Sequence, residues 1–183
     1  NAAPVLTIGI PHYRHRRYLE LVLESIFEQG FGDFEIVVSD DCSPDDSKEV
    51  IPRLLQQSER TFRYYFQPSN LGYDGNVRFC LTAAKGRYVF LLGNDDAVGG
   101  PETLGDIVQA LQRLEYPETA FTDFSDWATG ISTGRAQGTG ILGAGPDTAI
   151  QHFRTFSFVS GLIFDRAMAQ KYDTNRWDRS VYY

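Results

Sequence analysis

Long apolar runs are missing from this chain of 183 residues. No stretch approaches the roughly 18 consecutive apolar residues that a membrane-crossing helix needs, so nothing in it reads as a transmembrane span. Cysteine is scarce: the chain has 2, Cys42 and Cys80. Such a pair is neither a disulfide framework nor a metal motif, and its use fits a reducing compartment. Cys42 reads as a small loop residue and Cys80 as packing on a helix face. Positive charge is also short, with 17 Lys and Arg against 24 Asp and Glu and a net charge of -7. Phosphate-backbone partners favour clustered Lys and Arg, so no nucleic-acid partner is expected. A single nucleotide stays compatible with an acidic protein when a metal neutralises its phosphates. His12, His15 and His152 share no repeated spacing, which argues against zinc.

Several catalytic signatures are absent too. The first strand ends Gly9-Ile-Pro-His-Tyr13, without the glycine-rich turn of a dinucleotide-binding domain. No phosphate loop ending in Gly-Lys-Ser or Gly-Lys-Thr occurs, and no Gly-x-Ser-x-Gly elbow of a hydrolase. Residues 11 to 17 hold no glycine, which disfavours the basic, glycine-rich triphosphate loop of a nucleotidyltransferase. Asn1-Ala2-Ala3-Pro4 is small and polar and has no signal-peptide pattern.

What is present is ordinary globular material, 42% hydrophobic with 17 Gly and 8 Pro, enough for one domain with a sizeable core. Val5 to Ile10 is nearly all apolar and β-branched, as a strand covered on both faces should be. Pro11 is expected to end it. Apolar positions three and four apart between Arg17 and Gln29 predict a helix, closed by Gly30. Strands follow at Phe34 to Ser39, Phe62 to Phe66, Tyr88 to Leu92 and Ala120 to Phe124. Helices are expected from the Ser43-Pro44-Asp45-Asp46 cap towards Gln57, bent or interrupted at Pro52, then over Tyr73 to Ala84 and Pro101 to Leu114. Alternation at roughly thirty-residue spacing predicts an α/β fold, a Rossmann-like, mostly parallel sheet with helices on both faces. Asp126 to Gly145 reads as a loop or loose hairpin. Phe156 to Phe164 reads as a return strand and Arg166 to Lys171 as a short helix. This tail is expected to lie beside the sheet within a single domain over residues 1–183. Its end, Arg176 to Tyr183, is aromatic-rich without a closing helix pattern, so the chain is expected to be incomplete there.

Open α/β sheets bind ligands at the carboxyl ends of their strands, and unusual polar residues gather at that rim. After the first strand come Pro11, His12, Tyr13 and Arg14, and after the second Asp40, Asp41 and Ser43. Asn70 and Gly72 follow the third, and Asn94, Asp95 and Asp96 the fourth. Close carboxylates repel one another unless a cation or proton intervenes. Hard divalent ions accept one or two carboxylates, with substrate phosphates completing the shell. The bland alternatives are a helix-capping Asp96, an Asx turn at Asp41 with Cys42 or Ser43, and a Tyr13 that only closes the sheet. Arg14, Arg16 and Arg17 reach phosphate or form a solvated helix start. His12 has no constellation that orients a proton, so it is not assigned as a catalytic base.

The blocks Leu6-Thr-Ile-Gly-Ile-Pro-His-Tyr-Arg14, Leu23-Glu-Ser-Ile-Phe-Glu-Gln29 and Phe34-Glu-Ile-Val-Val-Ser-Asp-Asp-Cys-Ser-Pro-Asp45 together resemble the inverting family-2 glycosyltransferases of GT-A fold. Asn70-Leu-Gly72, Asn76 and Ala84-Lys-Gly-Arg-Tyr-Val-Phe-Leu-Leu-Gly-Asn-Asp-Asp96 continue the match in the usual order over residues 5 to 114. The resemblance implies a transferase moving a sugar from a nucleoside-diphosphate sugar to a hydroxyl of a saccharide or lipid-linked acceptor, with residues 5–124 handling the donor and 125–183 the acceptor. It implies that Pro11 and Tyr13 line the nucleotide pocket. Asp41 would hold the base with Asp40 alongside, and Asn70, Gly72 and Asn76 would shape the nucleotide side. Asn94 and Asp95 would face the donor. Asp96, with Asp95, would bind manganese or magnesium. UDP is the donor nucleotide implied, uridine being the commonest base in similar enzymes. The second half resembles bacterial enzymes of O-antigen, capsule and other cell-envelope polysaccharides. These work in the cytoplasm at the inner face of the plasma membrane, so peripheral membrane association is implied.

Two departures stand out. Family members often carry Tyr-Asn where this chain has Tyr13-Arg14, and many carry Asp-x-Asp-Asp where it has Gly93 first. No general base is identified: Asp173 and Asp178 are candidates by sequence proximity only, and the base is otherwise expected beyond Tyr183. A donor-binding domain without turnover, and a nucleotidyltransferase, are the competing readings.

Overall fold

The computed structural model describes residues 3–174. Its centre is a six-stranded sheet. The first four strands, each followed by a helix, are β1 (Leu6–His12), β2 (Phe34–Asp40), β3 (Thr61–Phe66) and β4 (Tyr88–Leu91). The helices are α1 (Arg16–Phe27), α2 (Ser47–Gln57), α3 (Gly72–Ala83) and α4 (Thr103–Arg113). Then come β5 (Thr119–Phe121), α5 (Pro146–Gln151), a 3-10 turn over Phe153–Ser157, β6 (Leu162–Asp165) and α6 (Arg166–Tyr172). The strand order is β3-β2-β1-β4-β6-β5. The β3-β2-β1-β4 part is parallel, while β6 runs antiparallel to both β4 and β5.

Alternation along the strands divides the core. Leu6, Ile8 and Ile10 of β1, with Ile36 and Val38 of β2, pack under Leu19, Leu23 and Ile26 of α1, Ile51 and Leu55 of α2, and Leu104 and Leu111 of α4. On the opposite face Val89 and Leu91 meet Cys80 and Ala84 from the α3 side. There α3 comes so close that a Cβ on Gly9 would lie 3.1 Å from Cys80 Cβ. That face also buries an ion pair. Glu35, 2% exposed, accepts from Arg63 Nη2 at 2.7 Å, Thr7 Oγ1 at 2.7 Å and the Lys85 amide at 2.7 Å. Those three bonds fall on Oε1, and Arg63 Nε donates to Oε2 at 3.2 Å, so both oxygens are answered, the condition under which a buried charge is tolerated.

Four expectations from the sequence change. Pro11 does not end β1: it pairs in register with Ser39, and His12 with Asp40. Its missing N–H faces the β4 side, where pairing stops at Gly9 with Leu91, so no ladder bond is lost. Pro52 does not interrupt α2. The return strand is shorter than its apolar run. Phe156 and Ser157 belong to the 3-10 turn, and Gly161, at φ +81, breaks the extended backbone just before β6. Finally, the tail does not lie beside the sheet. It enters the sheet as β6, between β4 and β5. The expected hairpin is there: Ser125 bridges Ser132, and the Thr133 amide donates to the Phe124 carbonyl at 2.9 Å.

Candidate active site

The carboxyl ends of β1, β2 and β4 and the start of α3 enclose a cleft of about 510 Å³. Pro11, Tyr13, Asp41, Asn70, Gly72, Asn76, Asn94, Asp95 and Asp96 all line it, joined by Tyr73, Gly93 and Ser157 to Val159. The structure therefore brings together every nucleotide- and metal-binding candidate read from the sequence except Asp40.

Asp40 is fully buried beneath the cleft. Successive strand residues point to opposite faces, so Asp40 and Asp41 cannot both look outward. Asp40 accepts the Ser43 amide at 2.8 Å and the Tyr64 hydroxyl at 2.5 Å. It makes the turn expected of its neighbour and does not reach the cleft. Burial and the Asp40 bond together push the Tyr64 hydroxyl well above its ordinary range.

Asp41 accepts from the Leu71 amide at 2.5 Å and the Gly72 amide at 3.0 Å. It thus caps α3 from another element, satisfying N–H groups that α3 has no side chain of its own to meet. Gly72, at φ 77, turns the chain into the helix. Asn70 braces the same turn, donating to the Asp41 carbonyl at 3.3 Å and accepting the Gly72 amide at 3.0 Å. Burial raises the Asp41 carboxyl above its usual range, against the two amides that favour its charge.

After β4 the chain turns at Gly93. A Cβ there would lie 2.8 Å from Asp96 Oδ2, 3.2 Å from Asp95 Oδ1 and 3.0 Å from Ser160 Oγ. The missing side chain leaves a small cradle between two carboxylates. Asp96 Oδ2 accepts the Ser160 hydroxyl at 2.5 Å, and that hydroxyl accepts the Gly93 amide at 2.7 Å. Burial raises the Asp96 carboxyl, the Ser160 bond opposes this, and the Asp95 charge adds to it. Among the described residues no group of three or more His, Cys, Asp and Glu forms a metal cage. A cation here would depend on Asp95, Asp96 and oxygens of its ligand, a donor set that fits magnesium or manganese.

Sequence reasoning missed Arg135 and the partners of Ser160 and His12. Ser160 reaches Asp96 across 64 positions. Arg135 donates to the carbonyls of Thr155, Phe158 and Ser160 at 2.8, 2.9 and 2.6 Å, binding the hairpin to the loop that carries Ser160. His12 is fully buried and joins Asn94 to Ser47. No periodicity encodes contacts of that range. Asp173, the base candidate within the described residues, does not line the cleft. It pairs with Arg78 at 2.7 Å where α6 ends. Asp178 lies outside the described residues.

A mixed sheet of this order, with a carboxylate rim over its parallel half, is a fold of GT-A type. TarS of S. aureus, residues 1–349 in complex with UDP-GlcNAc, superposes with a TM-score of 0.74 at 18% identity, over 91% of this chain and 46% of that one. The mannosyltransferase PcManGT from Pyrobaculum calidifontis, in complex with GDP-Man and Mn2+, gives 0.65 at 16% identity, over 93% and 47%. The family model described as Glycosyl transferase family 2 matches residues 7–131, and the chain belongs to that family. Among curated relatives, the GalNAc(5)-diNAcBac-PP-undecaprenol beta-1,3-glucosyltransferase of Campylobacter jejuni is 37% identical over 93 residues, 51% of this chain and 30% of that protein. The chain thus spans under a third of that relative. Among the described residues no helix is long and apolar enough to cross a membrane.

Proposed function

We propose that this chain carries the donor site of an inverting glycosyltransferase that moves a sugar from a nucleoside-diphosphate sugar to a hydroxyl of a saccharide or lipid-linked acceptor. The observation that carries this reading is the convergence of Asp41, Asn70, Gly72, Asn76, Asp95 and Asp96 on one cleft over the parallel strands. Residues 5–124 form the donor side and residues 125 onward the acceptor side. Pro11 and Tyr13 flank the nucleotide, and Asp41 accepts from the base. A uridine nucleotide is the first choice, supported by the UDP-GlcNAc complex of TarS.

Asp95 and Asp96 hold a divalent cation, manganese or magnesium. When bound, it would stabilise charge on the departing diphosphate. In the transfer the acceptor oxygen attacks the anomeric carbon in line. The bond from that carbon to the diphosphate oxygen breaks, and the diphosphate leaves with the electron pair. A carboxylate takes the acceptor proton; it is not assigned among residues 3–174. The name of the Campylobacter relative includes an undecaprenol-linked acceptor, which supports work at the cytoplasmic face of a membrane on cell-envelope glycans. The exposed Trp127, Ile131 and Ile141 on the acceptor side are compatible with such a surface.

Calorimetric titration of UDP, GDP, CDP and dTDP, each with and without manganese, tests the donor site. Manganese-dependent binding of one nucleotide is expected, and its loss in Asp96→Ala. Binding that persists unchanged in that variant would overturn the metal role. Product analysis with the full-length protein separates the alternatives. Nucleoside diphosphate release marks glycosyl transfer, pyrophosphate release marks nucleotidyl transfer, and binding with neither marks a donor-binding domain.

A further inference from the structure

Two asparagines of the cleft hang by their nitrogens from one residue. Asn76 Nδ2 donates to the His12 carbonyl at 3.2 Å, and Asn94 Nδ2 lies 3.0 Å from His12 Nδ1. The second amide hydrogen of Asn94 goes to the Arg14 carbonyl at 3.2 Å. That carbonyl is set by a left-handed pair, Arg14 and His15, with φ 61 and 60. Turning the Asn94 carboxamide over would set its oxygen against the Arg14 oxygen, acceptor against acceptor.

The remaining hydrogens close the account in one direction. Ser47 Oγ gives its only hydrogen to Asp45 Oδ1 at 2.5 Å. Its contact with His12 Nε2, at 2.8 Å, therefore requires the ring to donate. A neutral imidazole protonated on Nε2 has a bare Nδ1, the acceptor that Asn94 needs. Asn94, His12, Ser47 and Asp45 form a chain with every donor pointing the same way. With both nitrogens engaged, each asparagine has its oxygen left. Asn76 is 3% exposed, lines the cleft, and its Oδ1 has no hydrogen-bond partner among the described residues.

We propose that His12 is a positioning residue that turns both carboxamides oxygen-outward, so that the cleft wall beside Asp95 and Asp96 offers acceptors only and takes ligand hydroxyls. This rests on the donor-site reading and deepens it. Phosphate and carboxylate groups, being acceptors, are turned away from this wall unless a cation intervenes. The ribose or the transferred sugar meets it.

The test has two parts. Nitrogen-15 NMR of the histidines in the unliganded protein at pH 7 should show His12 neutral and protonated on Nε2. Protonation on Nδ1 would overturn the positioning role. Binding is then compared for His12→Asn, whose side-chain oxygen falls near the Nδ1 position, and for His12→Phe, which keeps the backbone carbonyl and a planar ring but no ring nitrogen. His12→Asn should stay within about twofold of wild type, and His12→Phe should bind UDP-sugar about three- to tenfold more weakly, the effect of one hydrogen bond. Equal losses in both folded variants would make His12 a packing residue and overturn the proposal. Where either variant fails to fold, Asn94→Leu serves, with a comparable three- to tenfold loss expected and an unchanged affinity overturning the proposal. Two arms separate the hydroxyl sources. A preference for UDP over 2′-deoxy-UDP assigns the ribose, and a preference for UDP-sugar over UDP assigns the sugar. Neither preference overturns the ligand class. Wild-type protein that binds no nucleotide fails the donor-site reading and the ligand class with it, while the tautomer still judges the His12–Asn94 bond.

Discussion

Ser160 holds both ends of the turn that carries the carboxylate pair. Its hydroxyl donates to Asp96 Oδ2 at 2.5 Å and accepts the Gly93 amide at 2.7 Å. Arg135 fixes Ser160 in turn, donating to its carbonyl at 2.6 Å. The loop before β6 is thereby built into the geometry of Asp96 and the turn at Gly93, and the two cannot be adjusted independently.

Ser160→Ala should cost about 1–3 kcal/mol of stability, because the buried Gly93 amide loses its partner. Denaturant unfolding measures this. Calorimetry of the same variant should show weaker manganese-dependent nucleotide binding, since Asp96 loses the hydroxyl that orients it.

Gly161→Ala should be destabilising by about 1–3 kcal/mol, since it adds a Cβ at a φ of +81 that L residues rarely adopt. The new atom would lie 2.2 Å from Thr122 Oγ1. Thermal unfolding of the variant checks the size. A melting temperature equal to wild type would mean that the loop before β6 relaxes freely.

Glu35→Ala should be among the most damaging single changes, about 3–5 kcal/mol, because Arg63 is left with an unpaired charge at a largely buried site. The readout is soluble yield and denaturant midpoint, with Glu35→Gln milder than Glu35→Ala.

Asp173→Asn should leave nucleotide affinity unchanged and alter stability by no more than about 1 kcal/mol. Asp173 is ion-paired with Arg78 on a partly exposed surface and lies outside the cleft. A large loss of nucleotide binding on calorimetry would return Asp173 to the site.

Acidification should destabilise the fold through His12. Burial lowers its basicity, with Asp40 and Asp45 opposing and His15 assisting. Below the ordinary histidine range, about 6.5, the unfolded chain takes up a proton that the folded chain refuses. Stability present above that range is lost as pH falls through the folded value. Urea unfolding at pH 7.5, 6.0 and 5.0 should show the decline, and His12→Asn should flatten it. Asp41 and Asp96, both raised, act with the opposite sign and in the carboxylate range.

The parallel half of the sheet was legible because β1, β2 and β4 are apolar runs and α1, α2 and α4 repeat apolar residues every three or four positions. The rim was legible because two such runs end in Asp-Asp. Period-two alternation already implied that Asp40 and Asp41 would separate, one inward and one to the cleft. Strand β6 was harder. Its apolar run extends to Phe156, and a positive φ at Gly161 together with an antiparallel partner leaves no periodic trace. The links of Asn94 to His12 and Asp96 to Ser160 span 82 and 64 positions, and they follow from how the strands are ordered in space.

That ordering has a consequence for biosynthesis. Among the described residues, β5 pairs with β6 and with no other strand, and β6 closes the flank of β4. A chain emerging from the ribosome can therefore assemble β1 to β4 early, while β5 waits unpaired and the flank of β4 stays open until Leu162 to Asp165 have been made. An open flank of this kind invites pairing with a neighbouring chain, so nascent chains halted before Leu162 should be the ones that chaperones hold and that aggregate when they are not held.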